Sequence, residues 1–140
     1  MIDKSLSGRR VLVVEDEMMV LMLIEDMLSD LGCESVTSAA TVDQALALMD
    51  GRVFDVAMLD VNLNGEKSYP VADVLVARHV PFVFATGYSD HVTRVGYPGR
   101  PVLKKPFRFE ELVEVLSRLA CHEGAAAAVP PAAQDAGSAP

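Results

Sequence analysis

Apolar residues along this chain come in short unbroken runs, separated by stretches in which they recur every three or four positions. Val11 to Val14, Val56 to Leu59, Phe82 to Ala85 and Val102-Leu103 are runs of the kind found in parallel strands covered on both faces. After the first run, Val20, Leu21, Ile24, Met27, Leu28 and Leu31 repeat at helical spacing, and Gly32 follows as a C-terminal cap. A weaker strand over 33–39 precedes a helix with Thr41 as N-cap and Gly51 as its stop. Residues 62–69, rich in Asn and Gly, are turn chemistry. Pro70 suits the first turn of a helix running to about His79, with Val71, Val74 and Leu75 on its buried side. Leu112, Val113, Leu116 and Leu119 share one face of a last helix. Strand and helix alternate five times, which predicts an α/β domain built on an open parallel sheet. The helix between the fourth and fifth strands is poorly marked, because 89–100 holds two glycines and a proline, and it is expected to be short, irregular or mobile.

Composition narrows the possibilities. A length of 140 residues suits one compact domain with a real core, and a hydrophobic fraction of 51% excludes a largely disordered chain. The formal charge of −8 argues against nucleic acid or an anionic membrane as partner. Residues 1–8 form a short leader without the apolar core of a signal peptide, and the longest apolar run, 18–24, is too short to span a bilayer. Cys33 and Cys121 lack CxxC spacing, in keeping with a reducing cytoplasm. The folded domain is expected over 9–121. From residue 122 to 140, Ala, Pro and Gly dominate, and burial there cannot offset ordering entropy, so a disordered tail is expected. His79, His91 and His122 lack metal-ligand spacing and read as surface residues. Met18, Met19, Met22 and Met27 read as the first helix's core or exposed flank, and Cys33 as a small buried hydrophobe.

The chemistry lies where the strands end. Glu15 and Asp16 follow the first strand, Asp60 the third, Thr86 the fourth and Lys105 the fifth. In an open parallel sheet the carboxyl ends share one edge, and ligands bind in the crevice outside it. Each residue alone reads as an ordinary turn or cap; all of them on one edge make a pocket for phosphoryl chemistry. A carboxylate can accept a phosphoryl group if a divalent cation neutralises the incoming charge. Mg²⁺, or Mn²⁺ in its place, takes carboxylate, carbonyl and water oxygens. Glu15 and Asp16 can supply or orient such ligands, Asp60 can give one oxygen while the other attacks, and a backbone carbonyl near Asn62 can complete the shell. Without the cation the clustered acids should repel one another, raising at least one pKa. Lys105 can pair with Asp60 and then with phosphoryl oxygens, and the Thr86 hydroxyl can donate to one of them. The Lys105-Pro106 bond is a candidate cis peptide.

This pattern resembles the receiver domain of two-component response regulators across residues 9 to 120: an acidic pair, an aspartate, a threonine and Lys-Pro-Phe after successive strands. Residues 84–88 spell Phe-Ala-Thr-Gly-Tyr, similar to a subclass of receivers found as single-domain regulators and on some hybrid kinases. The resemblance implies a doubly wound, flavodoxin-like (βα)5 fold of strand order 2-1-3-4-5. It implies Asp60 as phosphoacceptor; Glu15, Asp16, Asp60 and the Asn62 carbonyl as Mg²⁺ site; Thr86 as switch hydroxyl; and Lys105, before Pro106 and Phe107, as the family lysine. The donor implied is a phosphohistidine on a sensor histidine kinase, and the receiver itself catalyses transfer. Two departures stand out. Val102 occupies the position where most receivers carry an aromatic switch residue, which shifts attention to Tyr88 or Tyr97, and Glu15 stands where many relatives have Asp.

The function implied is a stand-alone phosphorelay switch in the cytoplasm, not a turnover enzyme, which signals through a downstream protein partner or phosphotransfer protein; homodimerisation is left open. The alternatives are a phosphate sink or feedback scaffold for a kinase and, less favoured, an aspartyl-phosphate phosphatase. Such phosphatases need a second acid two residues after the nucleophile, where this chain has Asn62. A flavin binder needs a Gly-rich phosphate loop after the first strand, where this chain is acidic.

Overall fold

The apolar runs become the strands of one parallel sheet. The computed structural model describes residues 6–87 and 101–128. In chain order the elements are β1 (Arg10–Val14), α1 (Met18–Asp30), β2 (Ser35–Ala39), α2 (Val42–Met49), β3 (Val56–Asp60), β4 (Asn62–Leu63), β5 (Glu66–Lys67), α3 (Tyr69–Ala77), β6 (Phe82–Thr86), β7 (Val102–Lys104) and α4 (Phe109–Ala128). Five strands pair in parallel in the order β2-β1-β3-β6-β7, and β4 pairs with β5 in a separate antiparallel hairpin. Without that hairpin the order reads 2-1-3-4-5, the doubly wound arrangement expected.

Side chains alternate across a strand, so each buried strand feeds two cores. Leu12, Val14, Ala57, Leu59, Phe82 and Phe84 point to one face, where α2 and α3 contribute Val42, Ala45, Met49, Val71, Ala72 and Leu75. Val11, Val13, Val56, Met58, Val83 and Ala85 point to the other, under Leu21, Ile24 and Leu28 of α1 and Leu112, Leu116 and Ala120 of α4. Burial on both faces is why these strands show no alternation in sequence. The expected helix boundaries hold to within about two residues for α1, α2 and α3: Thr41 Oγ1 accepts the Gln44 amide 3.1 Å away as N-cap, and Gly32 and Gly51 take positive φ after their helices.

Three features differ from the sequence expectation. Residues 62–67 form a hairpin and not a plain turn, because Asn64 and Gly65 adopt the two positive φ angles, 53° and 90°, of a type I′ loop. Leu6, assigned to the leader, is fully buried in the α1/α4 core, and the Gly8 amide bonds the Gly32 carbonyl at 2.9 Å. A single leucine among polar residues carries no periodic signal. At the other end α4 continues through residues 122–128, where a tail was expected, because alanine is the strongest helix former and a helix already nucleated extends through it. Among the described residues no helix is long and apolar enough to cross a membrane.

Candidate functional site

Pairing register brings the strand-end residues together. Val14 lies opposite Leu59, which sets Glu15 beside Asp60; Asp60 lies opposite Ala85, and Thr86 opposite Lys104. Backbone bonds continue past the strands: Glu15 N–H to the Ala39 carbonyl at 3.0 Å, Val61 N–H to Ala85 at 2.9 Å and Lys105 N–H to Thr86 at 2.8 Å. The five predicted residues thus share one edge.

Lys105 holds the centre. Its Nζ donates to Asp60 Oδ2 at 2.9 Å and to Glu15 Oε1 at 3.0 Å. Pairing with Asp60 was expected; the second carboxylate was not. Lys104, its neighbour, is exposed. Glu15, Asp16 and Asp60 each offer an oxygen within 4.8 Å of the others, close enough to hold one metal ion. Glu15 is fully buried, Asp60 nearly so and Asp16 half-buried. The oxygen-only donor set and its negative charge suit Mg²⁺ or Mn²⁺ better than a softer metal.

Electrostatics record the cost of this crowding. Burial, reinforced by the negative charge of Asp60, pushes the Glu15 carboxyl up to about 7, against the Glu17 amide and Lys105, which favour its ionised form. Burial opposes the Lys105 ammonium, but the hydrogen bonds and charges of Asp60 and Glu15 outweigh it and hold its pKa above the ordinary value. The rise expected for one of the acids falls on Glu15, the most buried of them.

The other predicted groups occupy their own places. Thr86, 5% exposed, donates its hydroxyl to the Gly87 carbonyl at 3.0 Å. The Lys105-Pro106 peptide is cis. Phe107 packs partly buried against the α1/α4 core, Pro106 is exposed, and Val102 is half-buried against the α2/α3 core. His79 is exposed, as expected, and Cys33 is half-buried. Tyr88, Tyr97, His91 and the rest of residues 88–100, expected to be short, irregular or mobile, lie outside the described residues, as does the sequence beyond residue 128. Met18, Met19 and Met22 are the exposed flank of α1, with Met19 85% exposed. Beside Lys105 and Gly87 a cavity of about 460 Å³ opens between α1 and α4, lined by Val20, Leu23, Ile24, Phe107 and Leu112.

Sequence reasoning missed the hairpin's part in the site. The Asn64 amide donates to Asp16 Oδ2 at 3.0 Å, and the Asn62 amide to Asp60 Oδ1 at 3.3 Å. The Asn64-Gly65 dipeptide, a strong hairpin signal, could have revealed it.

Comparison with known proteins gives a consistent picture. The family described as Response regulator receiver domain matches residues 11–117. The solution structure of SdrG from Sphingomonas melonis Fr1 is 45% identical, with a TM-score of 0.69, covering 82% of this chain and 97% of that one. The BeF3-activated conformation of SdrG, from Pseudomonas melonis Fr1, is 43% identical over 81% of this chain and 98% of that one, with a TM-score of 0.67. The transcriptional regulatory protein PdtaR of Mycobacterium tuberculosis is 30% identical over 77% of this chain and 55% of its own length. The chain thus spans about half the length of the curated relatives it matches.

Proposed function

The chain belongs to the response regulator receiver domain family, and from that premise we propose that it is a single-domain phosphorelay switch, of the Phe-Ala-Thr-Gly-Tyr subclass, with Asp60 as phosphoacceptor. One observation carries the proposal: a lysine ammonium bridges two buried carboxylates, with a third acid close enough to share a metal ion. An unpaired buried acid would cost several kcal/mol, so such a cluster persists where chemistry uses it. SdrG, covered almost end to end, supports the single-domain type, and Phe84, Ala85, Thr86, Gly87 and Tyr88 support the subclass.

Glu15, Asp16, Asp60 and the backbone carbonyl of Asn62 would hold Mg²⁺, which when bound supplies positive charge against the phosphoryl oxygens. An Asp60 carboxylate oxygen attacks the phosphorus of a kinase phosphohistidine. The O–P bond forms as the P–N bond breaks, and the leaving imidazole takes up a proton. Lys105 then turns from the carboxylates to a phosphoryl oxygen, and the Thr86 hydroxyl leaves Gly87 to donate to another. Burial of Asp60 limits access to donors that fit the pocket mouth. The exposed apolar flank of α1 and the adjoining groove suit a sensor histidine kinase; a downstream protein partner reads the phosphorylated state.

Incubation with Mg²⁺ and acetyl phosphate, followed by intact-mass measurement, tests this. Wild type should gain one phosphate, and Asp60→Asn and the chelated wild type none. An adduct on Asp60→Asn, or none on wild type, refutes Asp60 as the acceptor.

A further inference from the structure

We propose that the β4-β5 hairpin is a positioning element of the metal site, its Asn64-Gly65 turn setting how tightly a divalent cation binds. The proposal rests on the reading that Glu15, Asp16 and Asp60 hold that cation. Lys105 hydrogen-bonds Glu15 and Asp60, and the Glu17 amide adds a bond to Glu15 Oε2 at 3.1 Å. Asp16 sits outside that arrangement. Among the described residues its donor is the Asn64 amide, reached across 48 residues of sequence.

The hairpin ties its turn to the site in three steps. Asn62 anchors it, its amide on Asp60 Oδ1, while the Ser68 amide bonds the Val61 carbonyl at 3.0 Å and closes the base. Asn62 Oδ1 accepts the Gly65 amide at 2.8 Å and braces the loop. The positive φ of Asn64 closes the turn, and in the closed turn its N–H meets Asp16 Oδ2. Asparagine tolerates that left-handed conformation and a β-branched residue does not. One short element therefore sets the separation of Asp16 from Asp60, and the Oδ2 bond leaves Asp16 Oδ1 for a ligand.

The role is one of positioning, because Asn64 itself is exposed and need not touch the cation. Asn64→Val keeps the amide but opposes φ of 53°; Gly65→Val strains the same turn from its other residue, at φ 90°. Asn64→Gly preserves the conformation. Mg²⁺ affinity of the full chain is read by titration of backbone amide NMR shifts, alongside the melting temperature in chelator. Displacing one amide donor from a carboxylate should weaken binding roughly tenfold in both valine variants and leave Asn64→Gly unchanged, while turn strain lowers the chelated melting temperature of the valine variants by several degrees without unfolding them at the titration temperature. In an Asp16→Asn background Asn64→Val should have no further effect. Unchanged affinity in both valine variants, or an equal loss with and without Asp16, overturns the hairpin's role while leaving the metal site standing. Absence of Mg²⁺ binding by wild type overturns both.

Discussion

Removing one negative charge from the site should make the cation-free protein more stable. Glu15→Gln keeps the size of the side chain and an oxygen for Lys105, while abolishing the carboxylate. In the folded state burial and the Asp60 charge raise the Glu15 carboxyl from 4.5 to about 7. The folded protein therefore holds a proton there more tightly than the unfolded chain does, and stability falls as pH rises from 4.5 through about 7. At 1.36 kcal/mol per unit of pKa, the full effect is on the order of 3 kcal/mol, reached above pH 7. Urea unfolding in chelator at pH 5 and pH 8 measures it. Glu15→Gln should exceed wild type by about 2 to 3 kcal/mol at pH 8, less whatever the weaker Lys105 contact costs, and by much less at pH 5. Excess Mg²⁺ should then favour wild type over the variant. An equal difference at the two pH values, or a less stable Glu15→Gln at pH 8, would refute the account of Glu15 as a strained acid.

Two further predictions concern the scaffold. Phe84→Ala empties a position between Phe82, whose ring centroid is 5.3 Å away in edge-to-face geometry, and Tyr69 at 6.1 Å. It should cost about 3 to 5 kcal/mol by urea unfolding, and a loss below about 1 would mean that the α2/α3 core is not packed around it. Thr41→Ala removes the hydroxyl that accepts the Gln44 amide and should cost about 1 kcal/mol, with Thr41→Ser retaining most of the stability.

The parallel sheet was legible because its strands are buried on both faces: Val11 to Val14 and Val56 to Leu59 announce themselves as runs that no amphipathic element would show. The site was legible for the same reason, since strand ends fix where Glu15, Asp16, Asp60, Thr86 and Lys105 emerge. What could not be read is what lies between side chains far apart in sequence. Whether Lys105 bonds one carboxylate or two is a matter of side-chain geometry that strand order does not specify; here its ammonium reaches both Glu15 and Asp60. The Asn64-Gly65 signal marks a hairpin, but not that the Asn64 backbone amide meets Asp16, a contact that no side-chain pattern encodes. Leu6 was missed for lack of pattern, and the reach of α4 because an alanine-rich segment reads as helix or tail according to what precedes it.

The buried charges also offer, on the proposed function, a route from Asp60 to the surface. Lys105 stands between two environments: its ammonium binds Glu15 and Asp60, and the residue lines the groove between α1 and α4 together with Pro106, Phe107 and Gly87. Thr86, whose backbone carbonyl accepts the Lys105 amide, hydrogen-bonds Gly87, which borders the same groove. On the proposed function, a phosphoryl group on Asp60 draws both the ammonium and the hydroxyl inward, so Lys105 leaves the carboxylates it bridges as Gly87, beside the same groove, gives up its bond from Thr86. An apolar core of the same volume would be more stable but would have nothing to exchange, since its contacts carry no charge for a new group to redirect. On the same reading, strain at Glu15 is the thermodynamic counterpart of metal binding: an acid that burial holds above its ordinary pKa would gain most from a cation held by Glu15, Asp16 and Asp60.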